Sequence, residues 1–90
     1  MFDIEKWRKE KGTGENLKDK LNDEGYVPLS SMETKSKKDL KKELPDDYMI
    51  VDWDVKTNPI YAQAMYSEED EKIFFLNSSG SYIGEAEKDQ

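Results

Sequence analysis

The chain has 90 residues, no cysteine, no histidine and a formal net charge of −7. A chain of this length supports one modest hydrophobic core, so we expect a single domain over residues 1–90. Without cysteine there is no disulfide framework or thiolate metal site, and without histidine the commonest catalytic base and metal ligand is missing. The composition therefore favours a protein that is not an enzyme, and it predicts neither a cofactor nor a metal site.

The sequence carries no sign of a membrane or export segment. No apolar run approaches the roughly 20 residues that a membrane-spanning helix needs. The first residues, 1–5, lack the basic and then apolar order of a signal peptide. These observations predict a cytoplasmic protein without a membrane partner.

Charge is distributed unevenly between the two halves of the chain. Residues 1–44 carry 11 basic and 10 acidic groups, whereas residues 45–90 carry 3 basic and 11 acidic groups. The second half therefore has a net charge of −8 (3 minus 11). Such a half repels the phosphate backbone of nucleic acids, so direct nucleic-acid binding is not expected there.

Two short helices are predicted at the start of the chain. The first spans residues 2–11, with Asp3 as its N-cap, and the second spans residues 15–24, with Gly25 suited to a left-handed C-terminal cap. Helices this short are marginal alone, so both must dock on the rest of the domain.

Two segments are predicted to be the most flexible. Residues 12–25 combine three glycines with a stripe of only two leucines, and residues 87–90 form a polar tail. Neither has much apolar surface to bury.

An extended segment and a third helix follow. Residues 26–29 are predicted to be a connector or an edge strand, because Pro28 restricts the residue before it and cannot donate to a strand ladder. Residues 30–44 predict a helix that ends before Pro45. Ser30 and Ser36 both have capping-box spacing, so two helix starts remain open.

Residues 48–55 alternate in polarity, as a half-buried strand requires. We expect one phase of this strand to face the core and Trp53 to be a core residue. The members of that phase are Met49, Val51, Trp53 and Val55.

The remaining chain predicts further strands. Residues 60–66 favour a strand over a helix, and residues 72–76 and 81–86 form a hairpin whose turn needs positive φ at Gly80. Together these segments predict an α+β fold, with short N-terminal helices followed by a three-stranded antiparallel β-meander.

Acidic residues flank two predicted strands that we expect to be neighbours, at 48–55 and 60–66. Several carboxylates can therefore converge on one surface, which is the candidate partner-binding site. Its residues are Asp46, Asp47, Asp52, Asp54, Glu68, Glu69, Asp70 and Glu71.

A clustered acidic surface suits a basic protein partner, for example a nucleic-acid-binding enzyme. Carboxylates at fixed spacing can imitate a phosphate backbone, as in the small acidic inhibitors that phages encode. The analogy is between kinds of protein only, since no motif in this sequence identifies a family. The expected function is a protein-binding module, of which an inhibitor or regulator from a phage or mobile element is one form.

Two alternatives remain open. The lysine-rich stretch 35–42 on the third helix could contact phosphates in a nucleic-acid-associated accessory protein, although no aromatic residue is interleaved for base stacking. Asp52 and Asp54 lie two residues apart on one strand face, a spacing that could hold a divalent ion in a small hydrolase. A solvated strand face explains that pair equally simply.

Overall fold

A computed structural model describes residues 2–11, 16–29, 36–54 and 63–89. Three helices and five strands lie within these ranges, which confirms an α+β fold. In chain order they are α1 (Ile4–Lys11), α2 (Leu17–Asp23), β1 (Val27–Pro28), α3 (Lys37–Glu43), β2 (Tyr48–Trp53), β3 (Gln63–Ser67), β4 (Lys72–Leu76) and β5 (Tyr82–Lys88).

The five strands form one antiparallel sheet in the order β1-β3-β4-β5-β2. The predicted three-stranded meander is only partly right, because β3, β4 and β5 form such a meander but two further strands extend it. β1 is a two-residue edge strand on β3, which confirms the edge-strand alternative predicted for residues 26–29. β2 pairs with β5 at the other edge, and this long-range pairing leaves no local signal.

The central strand β4 is buried on both faces of the sheet. Its residues Ile73 to Leu76 are fully buried, which is why they form a continuous apolar run and do not alternate. Helices α1 and α2 cover one face, and α3 covers the other.

Two hydrophobic clusters result. The front core contains Phe2, Ile4, Trp7, Leu17, Leu21, Tyr26, Met65, Phe74 and Leu76. The back core contains Leu40, Ala64, Ile73, Phe75, Ile83 and Ala86.

Side-chain caps set the helix starts. The Lys6 amide donates to Asp3 Oδ1 at 3.1 Å, as predicted for the first helix. The Asp39 amide donates to Ser36 Oγ at 3.3 Å, so the described part of the third helix starts after Ser36. The stretch 30–35, with the alternative cap Ser30, lies outside the described residues.

The segments predicted to be flexible are partly described. Residues 16–25 form α2 and its C-terminal turn, with Gly25 at φ 94° and both α2 leucines buried. Glu87 and Lys88 belong to β5 and pair with β2, so they do not form a separate tail. Residues 12–15 and Gln90 lie outside the described part, and the mobility of these segments stays a prediction.

The predicted phase of β2 is wrong for most of the strand. Met49 and Val51, which were expected in the core, are 50% and 48% exposed, while Tyr48 and Ile50 pack against the back core. Trp53 is half-buried on that same core, with its ring centroid 5.7 Å from that of Phe75. Val55 lies outside the described residues.

An irregularity in the β2–β5 ladder explains why Ile50 and Trp53 share a face. The register shifts between Ile50 and Asp52, so one extra residue reverses the alternation of side chains. Gly84 allows β2 to approach at this point, because a Cβ there would collide with the Asp52 carbonyl oxygen. Polar and apolar residues alternate regularly through 48–55, so the sequence pattern does not indicate the bulge.

Two substitutions at adjacent positions test this phase. Ile50→Ala should lower the free energy of unfolding by about 2 kcal/mol, because it removes methyl groups packed against the back core. Val51→Ala should change it by less than about 0.5 kcal/mol, because Val51 is exposed. Urea denaturation followed by tryptophan fluorescence measures both values. A larger loss for Val51→Ala than for Ile50→Ala would restore the phase expected from the sequence.

Candidate acidic surface

The start of β2 and the turn between β3 and β4 meet at the end of β5. The Lys88 amide donates to the Glu71 carbonyl oxygen at 3.1 Å, and Lys88 Nζ lies 3.5 Å from Asp47 Oδ2. Because β5 ends between these two segments, their carboxylates share one end of the sheet. We call this the acidic end surface; its members are Asp46, Asp47, Glu68, Glu69 and Glu71.

The strand arrangement that brings these carboxylates together differs from the expected one. β2 and β3 are not neighbours, since β4 and β5 lie between them. Asp52 lies farther along β2, opposite Glu85 of the neighbouring strand β5. It accepts a hydrogen bond from the Tyr82 hydroxyl. Asp54 follows β2 at that same far end, where its amide donates to the Ile83 carbonyl oxygen. Asp52 and Asp54 therefore lie apart from the acidic end surface.

Asp70 has an internal role, although it lies within the predicted acidic stretch. Its Oδ2 accepts hydrogen bonds from the Phe2 amide at 2.9 Å and from the Tyr26 hydroxyl at 2.8 Å. Burial alone would raise the pKa of Asp70, but these two bonds favour the ionised form and lower the pKa below its usual value. The contact fastens the start of the chain to the β3–β4 turn.

Two tyrosines border the acidic end surface on the side of the back core. The ring centroids of Tyr48 and Tyr66 are 6.2 Å apart, in an edge-on arrangement. Burial, a hydrogen bond with Tyr66 and the negative charges of Asp47 and Glu71 raise the pKa of Tyr48 to about 12. The sequence does not indicate this pair, although Tyr48 directly follows Asp46 and Asp47.

A depression lies beside the acidic end surface, at the β1 edge of the sheet. Its volume is about 570 Å³, and Val27 and Tyr66 supply apolar and aromatic surface to its lining. Glu24, Glu68 and Glu69 supply carboxylates. This lining suits a cationic group with an apolar stem better than an anion.

Glu71 is the one non-glycine residue with positive φ in the described part of the chain, at 54°. A side chain in this left-handed region costs roughly 1–2 kcal/mol, which glycine would avoid. Glu71 closes the β3–β4 turn, where its carbonyl oxygen accepts the Lys88 amide. The turn therefore keeps a carboxylate at a position that glycine would fill at lower conformational cost.

The residues of the two alternative functions are also placed. The lysines of α3 at 37, 38, 41 and 42 are exposed, because Leu40 directs the opposite side of the helix into the back core. Lys35 lies outside the described residues. Among the described residues, no group of three acidic side chains is arranged to hold a metal ion. No helix in the described ranges is long and apolar enough to cross a membrane.

Acid titration tests the role assigned to Asp70. Because its pKa is lower in the folded chain than in the unfolded chain, its contribution to stability is present above about pH 4 and is lost as pH falls through the folded pKa. Asp70→Asn should cost about 2 kcal/mol at pH 7, and the difference from the wild type should shrink below pH 4. Urea denaturation at several pH values measures it.

The matched control is Glu69→Gln, which removes a neighbouring exposed carboxylate. Its stability should follow that of the wild type across the same pH range. An Asp70→Asn deficit that persists unchanged at pH 2 would contradict the assigned role.

Comparisons with protein-family models, with curated proteins and with solved structures find no match to this chain.

Proposed function

We propose that the chain is a non-enzymatic protein-binding module that holds a basic protein through its acidic end surface. The observation that carries this proposal is the convergence of two acidic segments, distant in sequence, beside the end of β5. Four of the five carboxylates that define the surface are exposed, and Glu71 is half-buried. Lys88 contacts the surface through Asp47.

Electrostatics explains what such a surface can do. Like charges held close together repel one another, and a basic partner relieves that repulsion while gaining attraction. The carboxylates lie on strand ends and a hydrogen-bonded turn, which hold their spacing better than a flexible acidic tail would. Glu71 occupies a position of positive φ that glycine would take at lower conformational cost, which supports a role for its charge beyond folding.

The proposed partner is a basic protein such as a nucleic-acid-binding enzyme. A rigid row of carboxylates can occupy a groove that normally holds phosphates, which would make the chain an inhibitor or regulator. The analogy with phage-encoded inhibitors belongs to this proposal.

Charge reversal tests the proposal. Glu68→Lys combined with Glu69→Lys should weaken partner capture, mainly through a slower association rate. Both residues are exposed, so the fold should survive. The matched control is Glu5→Lys combined with Glu10→Lys, which makes the same charge change on exposed positions of α1. Proteins captured from a lysate by each bait are quantified by mass spectrometry at low and high salt.

The expected result is a set of basic proteins that the wild type and the control retain, that the reversed variant loses, and that added salt releases. Double-stranded DNA should displace them if the surface imitates a phosphate backbone. Capture that is equal for all three baits and indifferent to salt would contradict the proposal.

Glu71→Gly should separate stability from binding. The substitution relieves the left-handed strain, so the free energy of unfolding should rise by about 0.5–1 kcal/mol. It also removes one carboxylate of the acidic end surface, so partner capture should weaken. Urea denaturation and the same capture assay measure the two effects, and a variant that is both more stable and fully active in capture would contradict a binding role for Glu71.

The lysine-rich helix supports a second candidate function, a nucleic-acid-associated accessory protein. The specific observation is the exposure of its four described lysines on α3. A salt-dependent gel shift of labelled DNA or RNA, lost when Lys38, Lys41 and Lys42 are replaced by Gln, would favour this function.

A further inference from the structure

β2 forms one edge of the sheet. It pairs with β5 on one side, and no strand in the described ranges pairs with its other side. Met49 and Val51 on this strand are 50% and 48% exposed and belong to neither core. Single exposed apolar side chains are ordinary, but two of them on an unpaired edge strand form a surface that favours association with another chain.

The charges along β2 distinguish two candidate occupants of this edge, a second copy of the chain and a basic partner. Asp46 and Asp47 precede β2, Asp52 lies within it and Asp54 follows it. If a second copy paired antiparallel to β2 about Ile50, Asp46 of one copy would lie opposite Asp54 of the other. Like charges in that position are destabilising, so a second copy is disfavoured.

A basic partner has the opposite property. Lysine or arginine side chains in an extended segment would face the aspartates at both ends of β2, while intervening apolar side chains would cover Met49 and Val51. The β2 edge also begins at Asp46 and Asp47, which are members of the acidic end surface. The two surfaces are therefore continuous.

We propose that the β2 edge is a docking surface for a short extended segment of a partner, in which basic and apolar residues alternate. This inference rests on the proposed function and adds where and how the basic partner binds. The bulge between Ile50 and Asp52 interrupts the regular ladder, so the docked segment is short and its side chains supply much of the contact.

Three synthetic peptides test the proposal: KVKVKVK, KSKSKSK with the same charge but no apolar side chains, and EVEVEVE with reversed charge. Binding to the isotopically labelled 90-residue chain is followed by amide chemical shifts. KVKVKVK should perturb residues 48–53 and bind about tenfold more tightly than KSKSKSK, because it also buries apolar surface. EVEVEVE should not bind.

Substitutions at the edge provide the matched test. Met49→Ser combined with Val51→Ser should reduce KVKVKVK affinity to that of KSKSKSK. Asn22→Ser, at an exposed position on α2, should leave the affinity unchanged. All three residues are exposed, so urea denaturation should show little change in stability.

Several outcomes would overturn the inference. Equal affinity of KVKVKVK and KSKSKSK, or no effect of the double Ser substitution, would mean that the β2 edge is not the docking surface. Charge-driven capture by the acidic end surface would stand in that case. Dimerisation of the free chain that the double Ser substitution abolishes would assign the edge to a second copy. Tight binding of KVKVKVK that added salt does not weaken would contradict the proposed function, which requires electrostatic attraction to carboxylates.

Discussion

The burial of β4 on both faces is the constraint on which the rest of the structure depends. Ile73, Phe74, Phe75 and Leu76 point alternately to the front and back cores, and none is exposed. A strand of this kind is stable only if helices cover both sides of its sheet. The short N-terminal helices and α3 meet that requirement from opposite sides, although each is too short to be stable alone.

The contact at Asp70 links the front core to the end of the sheet that carries the acidic end surface. One carboxylate of the acidic stretch turns inward to bind the Phe2 amide and the Tyr26 hydroxyl, which holds α1 and the β1 segment against the β3–β4 turn. Its neighbours Glu68 and Glu69 stay exposed. Adjacent acidic residues therefore divide between stabilising the fold and forming the surface proposed to bind a partner.

The bulge in β2 has the largest consequence for the proposed interaction. It brings Trp53 to the back core together with Ile50, while Met49 and Val51 remain at the surface. The same strand thus contributes to the core on one side and presents an apolar edge bracketed by aspartates on the other. An interaction surface built in this way depends on the register of β2 against β5, and the missing side chain of Gly84 permits the close approach of Asp52 in that register.

The sequence by itself determined the elements that rest on local chemistry. The Asp3 cap, the left-handed glycines at 25 and 80, the hairpin of β4 and β5, and the part of the predicted strand 60–66 that lies in β3 follow from capping, turn geometry and residue pattern. Only the tertiary structure decided which strands are neighbours, which face of β2 is buried and which acidic residues meet. Those properties depend on pairing between residues far apart in the chain and on a one-residue bulge, and a regular alternation of polar and apolar residues is compatible with either phase.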